Sequence, residues 1–238
     1  MNRAITSLVV LLALMVGWIT RTVVWSILGE PAILWVLSDF DQTLYSTEEA
    51  RAAYYAREYA SLGTSVVELP SGQAADVPPS HEYALYRGWE LDESAFAEYI
   101  AVRKDAVLCE GAYWFVFGVV ASGRRIGIVS SGYQARILDL LDRDGLTGLF
   151  QFVIAVDDLE IGYKAAKPCP GLYNLGIQRA QVEPNRIIAI EDSPSGLGGA
   201  FASGLNAIFV PSSSRPLPSV PDGLEVIPLK SLREAKLR

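Results

Sequence analysis

Two cysteines in 238 residues, Cys109 and Cys169, are too few for a disulfide framework, and their separation matches no metal-ligand spacing. Both read as ordinary thiols. A single histidine, His81, leaves a Ser-His-Asp triad only one candidate base. It lies in Val77-Pro78-Pro79-Ser80-His81 and reads as a surface or helix-capping residue. Basic residues are outnumbered, 20 Lys and Arg against 27 Asp and Glu, for a net charge of −7. That balance disfavours a nucleic-acid partner, whose phosphates require clustered Lys and Arg. The one dense basic stretch, Lys230 to Arg238, includes Glu234 and reads as a solvated terminal helix. No internal repeat is visible. What the chain has in quantity is apolar residues, 50 % of the total, which is enough for a substantial core. The length suits one medium α/β domain with an insertion, or two small domains.

Residues 1–30 stand apart. Leu8 to Ile19 is a nearly unbroken apolar run, with Arg3 before it, Thr20-Arg21-Thr22 after it, and no acidic residue before Glu30. Three readings compete. The run has the length of a signal-peptide apolar region, although no Ala-x-Ala site follows. Extended over residues 5–28 it would form a membrane anchor, with Arg21 costing about 2.5–3.5 kcal/mol at the bilayer centre and much less near an end. The third is a non-native amino terminus or an apolar helix packed on the domain. Sparse arginine and serine make an organellar transit peptide a poorer fit. A cytoplasmic-type, an anchored and an exported catalytic domain therefore all stay open.

After residue 31 the pattern changes. Ala32 to Ser38 is apolar without polar alternation, as in a strand buried on both faces of a parallel sheet. Ile126–Val129 and Ile187–Ile190 read the same way, with weaker runs at Phe152–Val156, Ala207–Val210 and Glu225–Ile227. Helical patterns alternate with them over Gly111–Ala121, Tyr133–Asp142, Gly171–Arg179 and Gly196–Ser203. The expected fold is a Rossmann-like α/β domain, an open parallel sheet with helices on both faces. Residues 47–107 break the alternation and read as a helical insertion, with a loop at Leu69–Ser80. The core is then 31–46 plus 108–238.

Four polar clusters fall where those strands would end: Asp39-Phe40-Asp41-Gln42-Thr43, Ser130-Ser131-Gly132, Lys167-Pro168 and Glu191-Asp192-Ser193. Asp39 and Asp41, two residues apart at a strand end, can face the same way, the first as nucleophile and the second as general acid/base. Carboxylates beside an anionic substrate call for a divalent cation, and Asp192 adds a third oxygen donor suited to Mg²⁺. Glu191 would ligate through water or orient the site. Lys167 offers a point charge for a phosphoryl group, while the Ser130 hydroxyl and the amides of Ser131 and Gly132 precede a helix and suit an anion. Singly, each cluster is more often a turn or a helix cap. Jointly, in this order, they point to phosphoryl transfer.

This pattern resembles the haloacid dehalogenase superfamily of phosphohydrolases, in the β-phosphoglucomutase-like branch whose helical cap follows the first motif. Ile33–Thr43, Ile126–Gly132, Lys167-Pro168-Cys169-Pro170 and Ile187–Gly204 are similar to its four motifs. The resemblance implies that Asp39 forms an aspartyl-phosphate and that Asp41 protonates the leaving group and then activates water. It implies that Asp39, the backbone carbonyl of Asp41, and Asp192 bind Mg²⁺. Ser130, Ser131 and Lys167 would hold the phosphoryl oxygens, with Thr43 supporting the first loop. The expected activity is hydrolysis of a small phosphorylated metabolite, because dehalogenases and phosphonatases lack the acid matching Asp41. Gln42 departs from the family's usual Gly, and Gly171 from a usual acid. Two alternatives remain: a sugar phosphomutase, though no His-bearing segment follows the first motif, and a membrane-tethered non-catalytic binding protein. A dinucleotide site at Gly196-Leu197-Gly198-Gly199-Ala200-Phe201 is disfavoured, since Phe201 is too large for the third small position.

Overall fold

A computed structural model describes residues 3–46, 106–158, 166–211 and 217–235. Six parallel strands form one sheet: β1 (Trp35–Ser38), β4 (Arg125–Val129), β5 (Val153–Ile154), β6 (Ile187–Glu191), β7 (Asn206–Phe209) and β8 (Val226–Pro228). A separate antiparallel pair joins β2 (Tyr45–Ser46) to β3 (Val107–Leu108). The spatial order is β5-β4-β1-β6-β7-β8. Chain direction along the sheet reverses at β1, which lies between β4 and β6. In an open α/β sheet the crevice at such a switch point, outside the carboxyl ends of the strands, is where ligands bind.

Alternation along the central strands feeds two cores. Val36, Ile126, Ile128, Ile188 and Ile190 face one side, where α3 (Ala112–Ala121) and α4 (Gln134–Arg143) cover them. Trp35, Leu37, Ala189 and Ala207 face the other, under α5 (Gly171–Ala180) and α6 (Pro194–Ala202). Burial of both faces is why these strands read as continuous apolar runs. Gly127 interrupts one of them for a steric reason. A Cβ there would lie 2.3 Å from the Phe152 ring, which stacks on Trp35 at 5.3 Å.

Three expectations need correction. The first strand begins at Trp35 rather than Ala32, because its register partners Arg125 and Ile187 are themselves the first residues of β4 and β6. The Phe152 strand shrinks to two residues on the sheet edge, since Phe152 is spent covering Gly127. The basic tail is not a helix over its described part. It makes one short turn, Leu232–Glu234, anchored by buried Leu232. The proposed cap at 47–107 lies outside the described residues apart from Ala106 and Val107, and so does His81.

The amino-terminal run is helical: α1 (Arg3–Ile19), a wider π turn over Thr20–Val24, and α2 (Trp25–Leu28). Ile5–Ile27 is long and apolar enough to cross a membrane, with mean hydropathy 2.0 and only 11 % of its most apolar window buried. It packs along the core through small residues. A Cβ on Gly17 would fall 2.2 Å from the Val120 carbonyl oxygen, and Thr20 Oγ1 donates to the Ala121 carbonyl at 3.1 Å.

Candidate active site

The carboxyl ends of β1, β4 and β6 bring the expected groups together. Asp39 follows β1 directly, and its N–H donates to the Ile190 carbonyl, tying it to β6. Its carboxylate is buried. Oδ1 accepts from Lys167 Nζ at 2.6 Å, and Oδ2 accepts from Thr43 Oγ1 at 3.1 Å. The chain then turns sharply. Gln42 sits in left-handed backbone with φ 62°, a conformation that favours glycine. Its N–H donates to the Tyr45 carbonyl at 2.7 Å, closing the turn.

Lys167 lies on the loop before α5 and is joined to Pro168 by a cis peptide bond. Its ammonium group lies 2.6 Å from Asp39 Oδ1, 2.6 Å from Glu191 Oε1 and 2.7 Å from the Val129 carbonyl. Burial opposes the charge, but Asp39 and Glu191 more than offset it, so its pKa is raised. Asp39 is raised as well, by burial against the pull of Lys167. Burial pushes Glu191 up to about 8; Lys167 opposes this, while Asp39 and Asp192 add to it.

Ser130, at the end of β4, is buried, and its Oγ accepts from the Gly132 N–H at 3.0 Å. The Gly132 amide expected to meet an anion is thus held by the loop's own hydroxyl. Ser131 Oγ accepts the Lys167 N–H at 3.1 Å, linking the second loop to the third. On β6, Glu191 is completely buried and also accepts from the Tyr173 hydroxyl. Gly196 makes room for it, since a Cβ there would lie 1.8 Å from Glu191 Oε2. Ser193, rather than Asp192, caps α6 by accepting from the Gly196 N–H at 3.1 Å, with Pro194 in the first turn. Asp192 therefore stays with the site.

Oxygen atoms of Asp39, Glu191 and Asp192 lie within 4.8 Å of one another. Glu191 Oε2 is buried without a hydrogen-bond partner among the described residues. An oxygen-only set with an orphaned buried carboxylate oxygen fits Mg²⁺, which would also compensate charge that one lysine cannot. Asp41 goes elsewhere. Its carboxylate is paired with both terminal nitrogens of Arg136, Nη1 to Oδ1 at 2.7 Å and Nη2 to Oδ2.

Two residues at this site escape a reading by motif, Arg136 and Tyr173. Arg136 is 1 % exposed, on the same stripe of α4 as buried Leu140 and next to Ile137. A charged residue on an apolar helical stripe is itself a signal, but its partner lies 95 residues away. Tyr173 passes for a core aromatic on α5 until its hydroxyl is seen against Glu191.

The model of the haloacid dehalogenase-like hydrolase family matches residues 36–210. Validoxylamine A 7'-phosphate phosphatase of Streptomyces hygroscopicus subsp. limoneus is 28 % identical over 177 residues, 71 % of this chain and 81 % of that protein. A phosphorylated carbohydrates phosphatase of Thermotoga maritima is 26 % identical over 183 residues, 73 % of this chain and 83 % of that one. In fold, the crystal structure of CbbY from Rhodobacter sphaeroides in complex with phosphate is similar at a TM-score of 0.62. That match has 22 % identity over 85 % of this chain and 96 % of that one. The chain belongs to the haloacid dehalogenase-like hydrolases.

Proposed function

We propose that the protein is a Mg²⁺-dependent phosphatase that hydrolyses a small sugar or cyclitol phosphate through an aspartyl-phosphate on Asp39. The observation that carries this reading is the convergence of three buried carboxylates, Asp39, Glu191 and Asp192, with Lys167 bonded to two of them. A carboxylate oxygen of Asp39 attacks phosphorus as the ester P–O bond breaks, and Asp41 gives its proton to the departing alcohol oxygen. Water then attacks the acyl-phosphate phosphorus, yields a proton to Asp41, and releases inorganic phosphate with Asp39 restored. Lys167 and the Ser130–Ser131 loop hold the phosphoryl oxygens, where charge must be neutralised rather than new chemistry supplied.

Asp39, Asp192 and the Asp41 carbonyl would hold Mg²⁺, with Glu191 acting through water. Bound there, the ion neutralises carboxylate and phosphate charge. The substrate class rests on the relatives, two of which are named as phosphatases of validoxylamine A 7'-phosphate and of phosphorylated carbohydrates. Residues 47–107, a cap by resemblance, would select among such esters. The test is phosphate release from a panel of sugar, cyclitol and nucleotide monoesters, with Mg²⁺ and with EDTA. Metal-dependent release favouring the polyhydroxylated esters is expected. Equal release in EDTA would contradict the metal, and preference for nucleotides would contradict the substrate class.

The reading extends to attachment at a lipid surface through the amino-terminal helix. In support, Leu8, Leu11, Met15, Trp18 and Ile27 are each more than half exposed, while the small residues Ala13 and Gly17 face the core. Docked along the domain, such a helix lies on a membrane rather than projecting through it. Flotation of the full chain with lipid vesicles tests this. Monodisperse protein that stays behind when the vesicles float contradicts it.

A further inference from the structure

We infer that Arg136 is a positioning residue that fixes where the Asp41 carboxylate sits, an inference that rests on the phosphatase reading above. Its guanidinium is nearly fully buried, yet the carboxylate it grips is partly open to the site, with side-chain exposures of 1 % and 22 %. The grip is two-pronged, which sets the plane of the carboxylate as well as its distance. The surroundings then fix the guanidinium. It lies 5.5 Å from the centre of the Phe40 ring. On another side it rests on Gly132, where a Cβ would fall 2.4 Å from Nη2 and 3.1 Å from Asp41 Oδ2. Phe40 belongs to the nucleophile loop and Gly132 to the Ser130 loop, so one cation locks both loops to the carboxylate between them. The glycine at 132 is thereby explained by Arg136.

The Asp41 carboxylate, held on Arg136, stands outside the set of Asp39, Glu191 and Asp192 oxygens that lie within 4.8 Å of one another. A carboxylate with both oxygens on one guanidinium is an acceptor on both. Protonating a leaving alcohol therefore requires one oxygen of Asp41 to give up its guanidinium contact and carry the proton, while the other stays on Arg136 and keeps the group in place. Arg136 acts through Asp41 and touches neither phosphorus nor metal.

The experiment compares Arg136→Met and Arg136→Lys with wild type on two esters, an alkyl phosphate and an aryl phosphate whose phenolate leaves without a proton. The Met variant is expected to lose about 10²-fold in kcat on the alkyl ester, within the range of general acid–base catalysis, with KM nearly unchanged. It should lose far less in the rate of the aryl ester's first, phosphoryl-transfer step, measured as the pre-steady-state burst. In an Asp41→Asn background, Arg136→Met should change little further, because on this inference its effect runs through the Asp41 carboxylate. The Lys variant, which keeps the charge but not the fork, should fall between, and it carries the test if the Met variant does not fold. Equal loss on both esters, or additive loss with Asp41→Asn, overturns the inference while leaving the phosphatase reading standing. Wild type that releases no phosphate from either ester overturns both.

Discussion

Replacing Gly196 with alanine would strike the site without removing any chemical group. A Cβ at this position would lie 1.8 Å from Oε2, 2.0 Å from Cδ and 2.4 Å from Oε1 of Glu191. Real Cβ contacts essentially never fall below 3.0 Å, so either the carboxylate or the first turn of α6 must move by about 1 Å. The carboxylate has little freedom, because Lys167 and Tyr173 both hold Oε1. Alanine in place of a helical glycine returns at most about 1 kcal/mol of propensity. Overpacking a filled site costs about 1–3 kcal/mol, so the net stability change is a modest loss. Catalysis is more sensitive, since a displacement of about 1 Å in a catalytic site can cost about 10²-fold. The expected result is a folded protein with phosphate release down about 10²-fold and weaker Mg²⁺ activation. The assay is a Mg²⁺ titration of initial rate, paired with a thermal melt. Gly118→Ala is the control, since a Cβ there meets nothing within 4 Å and α3 should gain stability. Wild-type activity and wild-type Mg²⁺ activation in Gly196→Ala would refute the placement of Glu191 as a group the reaction needs.

Other expectations follow from the same geometry. Gln42→Gly should raise stability by about 1 kcal/mol, because the left-handed backbone at φ 62° penalises any Cβ; a lower melting temperature in that variant contradicts the assignment of strain. Burial gives Glu191 a folded pKa of about 8 against an ordinary value of 4.5, so the folded metal-free protein binds more protons than the unfolded chain between those values. Stability in EDTA should therefore fall as pH rises through that window, and Mg²⁺ should lessen the fall; a melting temperature that climbs with pH in EDTA contradicts it. Gly17→Val should loosen the amino-terminal helix, because the obstacle 2.2 Å from its Cβ is the backbone oxygen of Val120, which cannot rotate away. A stability loss of about 1–3 kcal/mol with unchanged phosphate release is expected, and a drop in kcat would show that the helix reaches the site.

Much of the fold was legible because it rests on short-range pattern. Val36-Leu37 and Ile187–Ile190 are apolar on successive residues because both faces of the sheet are covered, and a buried parallel strand has no other signature. The order of the polar clusters after those strands was enough to place Asp39, Lys167, Glu191 and Asp192 at one rim. What stayed hidden depends on contacts far apart in sequence. The edge strand shortened because Phe152 is needed over Gly127. Over its described part the tail makes only the short turn Leu232–Glu234, and a count of charges does not see the burial of Leu232. Arg136 meets Asp41 only after the sheet has formed, and its place on an apolar stripe of α4 is the one local hint.

The central claim is that Asp39 becomes covalently phosphorylated. The most direct measurement is mass spectrometry of the acid-quenched protein during turnover of a sugar phosphate with Mg²⁺, compared with Asp39→Asn. Asp39→Asn keeps the shape of the side chain, so it should fold as wild type does and release no phosphate. The account predicts a phosphoryl adduct on the peptide carrying Asp39 in the wild type and none in the variant. A wild type that turns over without an adduct on that peptide, together with an Asp39→Asn variant that retains full activity, would contradict it.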